Sequence, residues 1–167
     1  MGNINAMNDL AHSIYGYACT YAKAAKLLNQ SELFLPSMVN AALALELYFK
    51  SFYYLEYGKD FKINDRHSHD FFCLFKELRD TVKGEIESDF DQIMKHRDMR
   101  DVEQIEMVSK VVIPRGIMEN IEVWSTVFVK VRYMYENMEK PRSMMFFPEI
   151  EEVIRNAIYK RKPGWRP

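Results

Sequence analysis

The sequence predicts an all-α fold, and three observations carry that prediction. Apolar residues recur at three- and four-residue spacing over several long stretches. Only 6 Gly and 6 Pro among 167 residues leave room for long uninterrupted helices. The longest apolar run, Ser37 to Tyr57, is apolar nearly all round the helical wheel, the signature of a central helix. With 48% hydrophobic and 28% charged residues the chain is globular and fits one domain over residues 1–167.

Asn5 or Asn8 can cap a first helix that runs to about Leu28. Its seam is Ala11, Ile14, Ala18, Tyr21, Ala25 and Leu28, rich in small residues. His12 lies off that seam and reads as a surface histidine. Asn29 to Leu35 is a loop, and Pro36 opens the second helix where its missing N–H costs nothing. On that helix Met38, Ala42, Leu45, Phe49 and Phe52 share one face, and Leu43, Leu47 and Tyr54 cover the far side. A strip of Asn40, Ala44 and Ser51 between them lets a neighbouring helix or a second subunit approach closely. Glu46 and Lys50 stand at i,i+4 among apolar neighbours, so each needs a partner.

Gly58 ends this helix at a position that favours a left-handed residue. Lys59 to Ser68 is a polar loop. Ser68 or Asp70 caps a short third helix, Phe71 to Leu78. A further helix covers about Thr81 to Lys95 with Val82, Ile86, Phe90 and Ile93 inward. Lys95 to Arg100 is charged and reads as an exposed turn. Met99 to Val112 is a weaker helix stopped by Pro114 and Gly116. Ile117 to Tyr135 is the second major helix, striped by Ile117, Ile121, Trp124, Phe128, Val131 and Tyr135. Arg132 sits on the edge of that stripe, with Glu136 and Glu46 as candidate acids. Pro141 to Pro148 is a loop holding Met144 to Phe147. A last helix runs from about Pro148 to Lys160 into a basic, flexible tail at about 160–167.

The net charge of −1 gives no sequence-wide field for nucleic acid or membrane. The local exception is the C-terminus. After Glu152 there is no acid, while Arg155, Lys160, Arg161, Lys162 and Arg166 follow, a patch that could hold RNA. Cys19 and Cys73 lie in helical patterns and read as buried free thiols, with no Cys-x-x-Cys spacing. No secretory signal and no apolar run of membrane-spanning length is present, so the expected location is a reducing cytoplasm without a membrane role.

No Gly-rich phosphate loop and no Gly-x-Ser-x-Gly elbow occurs. His67, His69, Asp65 and Asp70 crowd one loop, but four ligands within six residues seldom converge without a second segment. Capping and loop hydrogen bonds are the expected roles, and neither a metal nor another cofactor is implied.

Three segments resemble the HEPN superfamily. They are Ala42 to Lys50 (Ala-Leu-Ala-Leu-Glu-Leu-Tyr-Phe-Lys), His69 to Phe75 (His-Asp-Phe-Phe-Cys-Leu-Phe) and Phe128 to Glu136, which contains Arg-Tyr-Met-Tyr-Glu. Their order and spacing are similar to the family's, from about Leu10 to about Tyr159. The resemblance implies an antiparallel bundle of four to six helices, usually a homodimer. Many members are metal-independent ribonucleases whose Arg-x(4–6)-His motif acts on the RNA 2′-hydroxyl and phosphate. That motif is absent here: Arg132 is followed five residues on by Asn137, and asparagine cannot shuttle a proton near pH 7. Members without it look like binding or scaffold modules, some attached to defence or toxin–antitoxin-type systems and to a protein partner encoded nearby.

The residues the resemblance singles out are Glu46, Lys50, His69, Asp70, Arg132, Tyr133 and Glu136. They are expected to form one polar network between helices or a pocket for a nucleotide, phosphate or RNA through Lys50, His69 and Arg132. For a divergent ribonuclease the catalytic candidates are His69, Arg132 and Lys50.

Overall fold

The computed structural model describes the backbone of residues 4–63, 66–67, 69–132 and 146–165. It describes their side chains except those of residues 4–8, 63, 66–67 and 128–132. The fold is all-α apart from one small hairpin. In order come α1 (Ile4–Gln30), α2 (Phe34–Tyr57), β1 (Lys62–Ile63), β2 (Arg66–His67), α3 (Phe71–Lys76), α4 (Asp80–His96), α5 (Arg100–Ser109), α6 (Ile117–Arg132) and α7 (Phe147–Arg161). Among the described residues these are seven helices, the short α3 and α5 standing as separate elements beside the expected bundle. The expected polar loop after Gly58 contains antiparallel β1 and β2, with Lys62 opposite His67.

Helices α1 and α2 form the most intimate pair. Ala11, Ala18, Ala22 and Ala25 on α1 and Ala41, Ala44 and Ser51 on α2 are all buried. Small side chains bring the two backbones close enough for Ser51 Oγ to donate to Ala11 O and Ser37 Oγ to donate to Ala25 O, each at 2.8 Å. The small-residue strips expected to admit a neighbouring helix or a second subunit therefore face each other within one chain. The loop between the helices shrinks to residues 31–33. α2 begins two residues before Pro36, which still lies in the first turn, where it removes no intrahelical bond. Gly58 ends α2 at φ 64°, in the left-handed region that glycine adopts freely.

The rest of the core is aromatic. Phe49 stacks on Phe71 with centroids 5.8 Å apart and meets Phe75 edge-on, pinning α3 to α2. Ile117, Ile121 and Trp124 bury the predicted stripe of α6, whose later members Phe128, Val131 and Tyr135 fall outside the described side chains. Phe146 and Phe147 are buried at the start of α7.

Three expectations change. The charged run from Lys95 to Arg100 is not simply exposed. Arg97 is half-buried, grips Asp101 with both terminal nitrogens, bonds Glu149 at 2.6 Å and lies over the Phe146 ring. One guanidinium thus joins the end of α4 and the starts of α5 and α7. His12 is exposed, as expected, and one face of its ring stacks on Trp165 at 4.8 Å. That contact, with Tyr15 5.7 Å from the same indole, lays residues 162–165 back on α1 where a flexible tail was expected. The thiols of Cys19 and Cys73 are free but only half-buried.

Candidate functional site

The site starts from Glu46, whose side chain is only 7% exposed midway along α2. A carboxylate so placed must be neutralised and hydrogen-bonded. Lys50 lies one turn on, and its Nζ donates to Glu46 Oε1 at 2.7 Å. The same oxygen bonds His69 Nδ1 at 2.9 Å. A carboxylate only accepts, so this contact places the histidine proton on Nδ1. The imidazole ring is 70% exposed.

Asp70 positions that histidine. It is the N-cap of α3, accepting from Cys73 N at 3.0 Å and from the Cys73 thiol at 3.1 Å. The Asp70 hydrogen bond, then burial, holds the Cys73 thiol above its ordinary pKa. Phe71 and Phe75 bury behind the cap, so the start of α3 is fixed against α2 and His69 is delivered to Glu46. The geometry brings Glu46, Lys50 and His69 together as expected, and gives Asp70 the capping role. Arg132 ends α6, but its side chain lies outside the described residues, as do Tyr133, Glu136 and Asp65. Among the described residues no cluster of His, Cys, Asp or Glu has the makings of a metal site.

A second polar centre went unread in the sequence. Glu151, on α7, is 3% exposed, and its carboxylate collects three donors. Lys26 Nζ from α1 reaches Oε2 at 3.0 Å, while Tyr48 OH from α2 and Arg155 Nε reach Oε1 at 3.0 and 2.9 Å. Cys19 Sγ lies 3.4 Å from the Tyr48 hydroxyl. One phenolic proton cannot serve two acceptors. The carboxylate takes it, and the thiol donates to the tyrosine oxygen. Burial, then the Glu151 charge, pushes the Tyr48 phenol above its ordinary pKa, and burial with Cys19 does the same to Tyr15. The only signal in the sequence was an acid in a buried phase of the last helix, with no partner nearby except Arg155.

The C-terminal cations are paired as well. Lys160 bonds Asp89 at 2.8 Å and Glu85 at 3.1 Å, and Arg161 bonds Glu85 at 2.9 Å with Glu56 at 3.5 Å. The Arg161 guanidinium lies over the Phe52 ring, and Lys162 lies 6.0 Å from the Trp165 centroid. Among the described residues no helix is long and apolar enough to cross a membrane. No family model, curated protein or solved structure matches this chain.

Proposed function

We propose that this chain is a non-catalytic HEPN-like helical module that works by dimerisation and by binding a protein or a nucleotide or RNA, in a setting such as a defence or toxin–antitoxin-type system. The observation that carries the reading is the sharing of Glu46 Oε1 by Lys50 and His69. The three residues tie the middle of α2 to the segment that starts α3, which is an architectural role. The absence of an Arg-x(4–6)-His pair from the sequence points the same way.

The test is thermal unfolding together with an RNA cleavage assay. Glu46→Gln and His69→Ala are expected to lower Tm by about 5 °C each, since a lost buried charge partner costs one to a few kcal/mol. Purified protein is expected to leave structured and single-stranded RNA intact. Cleavage that disappears in His69→Ala while Tm stays unchanged overturns the reading.

That outcome would favour a divergent metal-independent ribonuclease. One observation speaks for it: a largely exposed imidazole backed by a buried carboxylate is how general bases are commonly oriented.

A further inference from the structure

Where α1 meets α7, the side chains hold more positive charge than the buried acid between them needs. Glu151 is 3% exposed and uses both carboxylate oxygens, Oε2 for Lys26 Nζ of α1 and Oε1 for Arg155 Nε of its own helix. Neither cation is used up by this. Lys26 is 49% exposed, and an ammonium has three protons to give. Arg155 binds Glu151 through Nε alone. Among the described residues nothing bonds its two terminal nitrogens, and neither is sealed from solvent.

We propose that Lys26 and Arg155 form a binding site for a single phosphate dianion, carried by a nucleotide or free as the inorganic ion, with Glu151 as the positioning residue. The site uses no residue of the Glu46 centre and does not depend on dimerisation. A carboxylate that fixes Nε leaves the two terminal nitrogens as a rigid fork, and two-pronged donation is what a guanidinium offers a phosphate. The same carboxylate holds the Lys26 ammonium beside that fork, because both nitrogens stand on oxygens of one group. A phosphate can accept from the fork and the ammonium together. The entropy of ordering two long side chains is already lost in the free protein, which is preorganisation. Charge favours the same occupant. Two cations on one carboxylate leave a positive excess. Lys23, exposed one turn before Lys26, lies about 20° from His12 on the helical wheel, on the side of α1 that meets Trp165. Glu152 is exposed next to Glu151 along α7. Three cations against these two acids still leave the junction positive, in a chain whose net charge is −1.

Isothermal titration calorimetry of the full chain at fixed ionic strength tests this, with inorganic phosphate and adenosine 5′-monophosphate as probes. It is run at about pH 7.5, where a phosphate monoester is a dianion. One-to-one binding with a Kd in the low millimolar range or tighter is expected. Lys26→Gln is expected to weaken it ~10-fold, and Lys26→Arg to keep it within a few-fold of the wild type. Arg155→Lys keeps the charge but loses the fork, and is also expected to weaken binding ~10-fold. If Arg155→Lys unfolds the chain, the two Lys26 variants still decide, because that side chain is half exposed. Lys95→Gln removes the same charge from an exposed position on α4 and is expected to bind as the wild type does. Tighter binding of the nucleotide than of inorganic phosphate assigns the site to a nucleotide, and the reverse order assigns it to the free ion. No binding of either probe at tens of millimolar overturns the proposal. So does equal weakening by Lys26→Gln and Lys95→Gln, which would reduce the effect to overall charge.

Discussion

Glu46 and Glu151 solve one problem in two ways. Each is a buried carboxylate on a helix, and burying an unpaired charge is costly. Glu46 takes its partners from its own helix and from the segment 23 residues on. Glu151 takes Arg155 from its own helix, but Lys26 and Tyr48 come from 125 and 103 residues away. Tyr48 also sets a limit in alkali. Burial and the Glu151 charge raise its pKa in the folded chain, and burial with Cys19 raises that of Tyr15. A raised folded pKa means that the folded state holds its proton after the unfolded chain has released it. The contribution is then fully present below the ordinary phenol value of about 10 and is lost as pH climbs above it, at up to about 1.4 kcal/mol per pH unit for each tyrosine. Tyr48→Phe is expected to cost about 1–2 kcal/mol at neutral pH through the lost bond to Glu151. Above pH ~10 its stability should fall less steeply than that of the wild type. Urea midpoints from neutral pH to pH ~11 check both; parallel wild-type and variant curves in alkali would refute the linkage.

At the scale of elements, what was legible in the sequence depended on how far apart the partners lie. The Glu46–Lys50–His69 centre could be read because its parts follow local rules, an i,i+4 pair on one helix and a histidine just before an aspartate cap. The helices themselves followed from spacing: both ends of α2 to α5 and of α7, and the end of α1, fall within three residues of the expected ones. The phase of α1 was misjudged. Ile14, Tyr21 and Leu28 were expected to be as deep as Ala11, Ala18 and Ala25, whereas Tyr15 and Ala22 take the buried places. Two apolar seams one residue apart cannot be ranked until the neighbour is known, and the neighbour, α2, admits alanines best. Glu151 and Arg97 were illegible for the related reason that their partners lie on distant elements. The close α1–α2 contact makes a direct prediction. Ala44 is fully buried between the backbones, so Ala44→Leu must push the helices apart or shift the rotamers of Tyr15 and Tyr48. A loss of about 1–3 kcal/mol in urea unfolding is expected. A variant as stable as the wild type would show that the helices have room to separate.

Over the whole molecule, charge is balanced within the fold, and this bears on how the C-terminal cations can act. A free basic tail bearing Arg155, Lys160, Arg161 and Lys162 would contact up to four phosphates. Each contact on a single strand adds about −0.7 to the slope of log K against log salt, so four give about −2.8. In the structure Arg155 is held by Glu151, Lys160 by Glu85 and Asp89, and Arg161 by Glu85 and Glu56, while Lys162 lies toward Trp165. A phosphate must displace or share these acids before it gains anything. Burial alone would raise the Glu85 pKa, but hydrogen bonds from Arg161 and Lys160 bring it below the ordinary carboxylate value. The clasp between α4 and α7 therefore lasts down to the ordinary range near pH 4.3 and weakens as pH falls further. Above that range the tail is closed electrostatically. Single-stranded RNA is expected to bind with a slope no steeper than about −1, and Lys160→Gln should leave that slope unchanged while lowering Tm. Glu85→Gln, which releases both cations from one shared acid, should raise RNA affinity a few-fold and also lower Tm. A slope near −3 that loses about 0.7 with each tail cation removed would show instead that these residues grip RNA despite their acids.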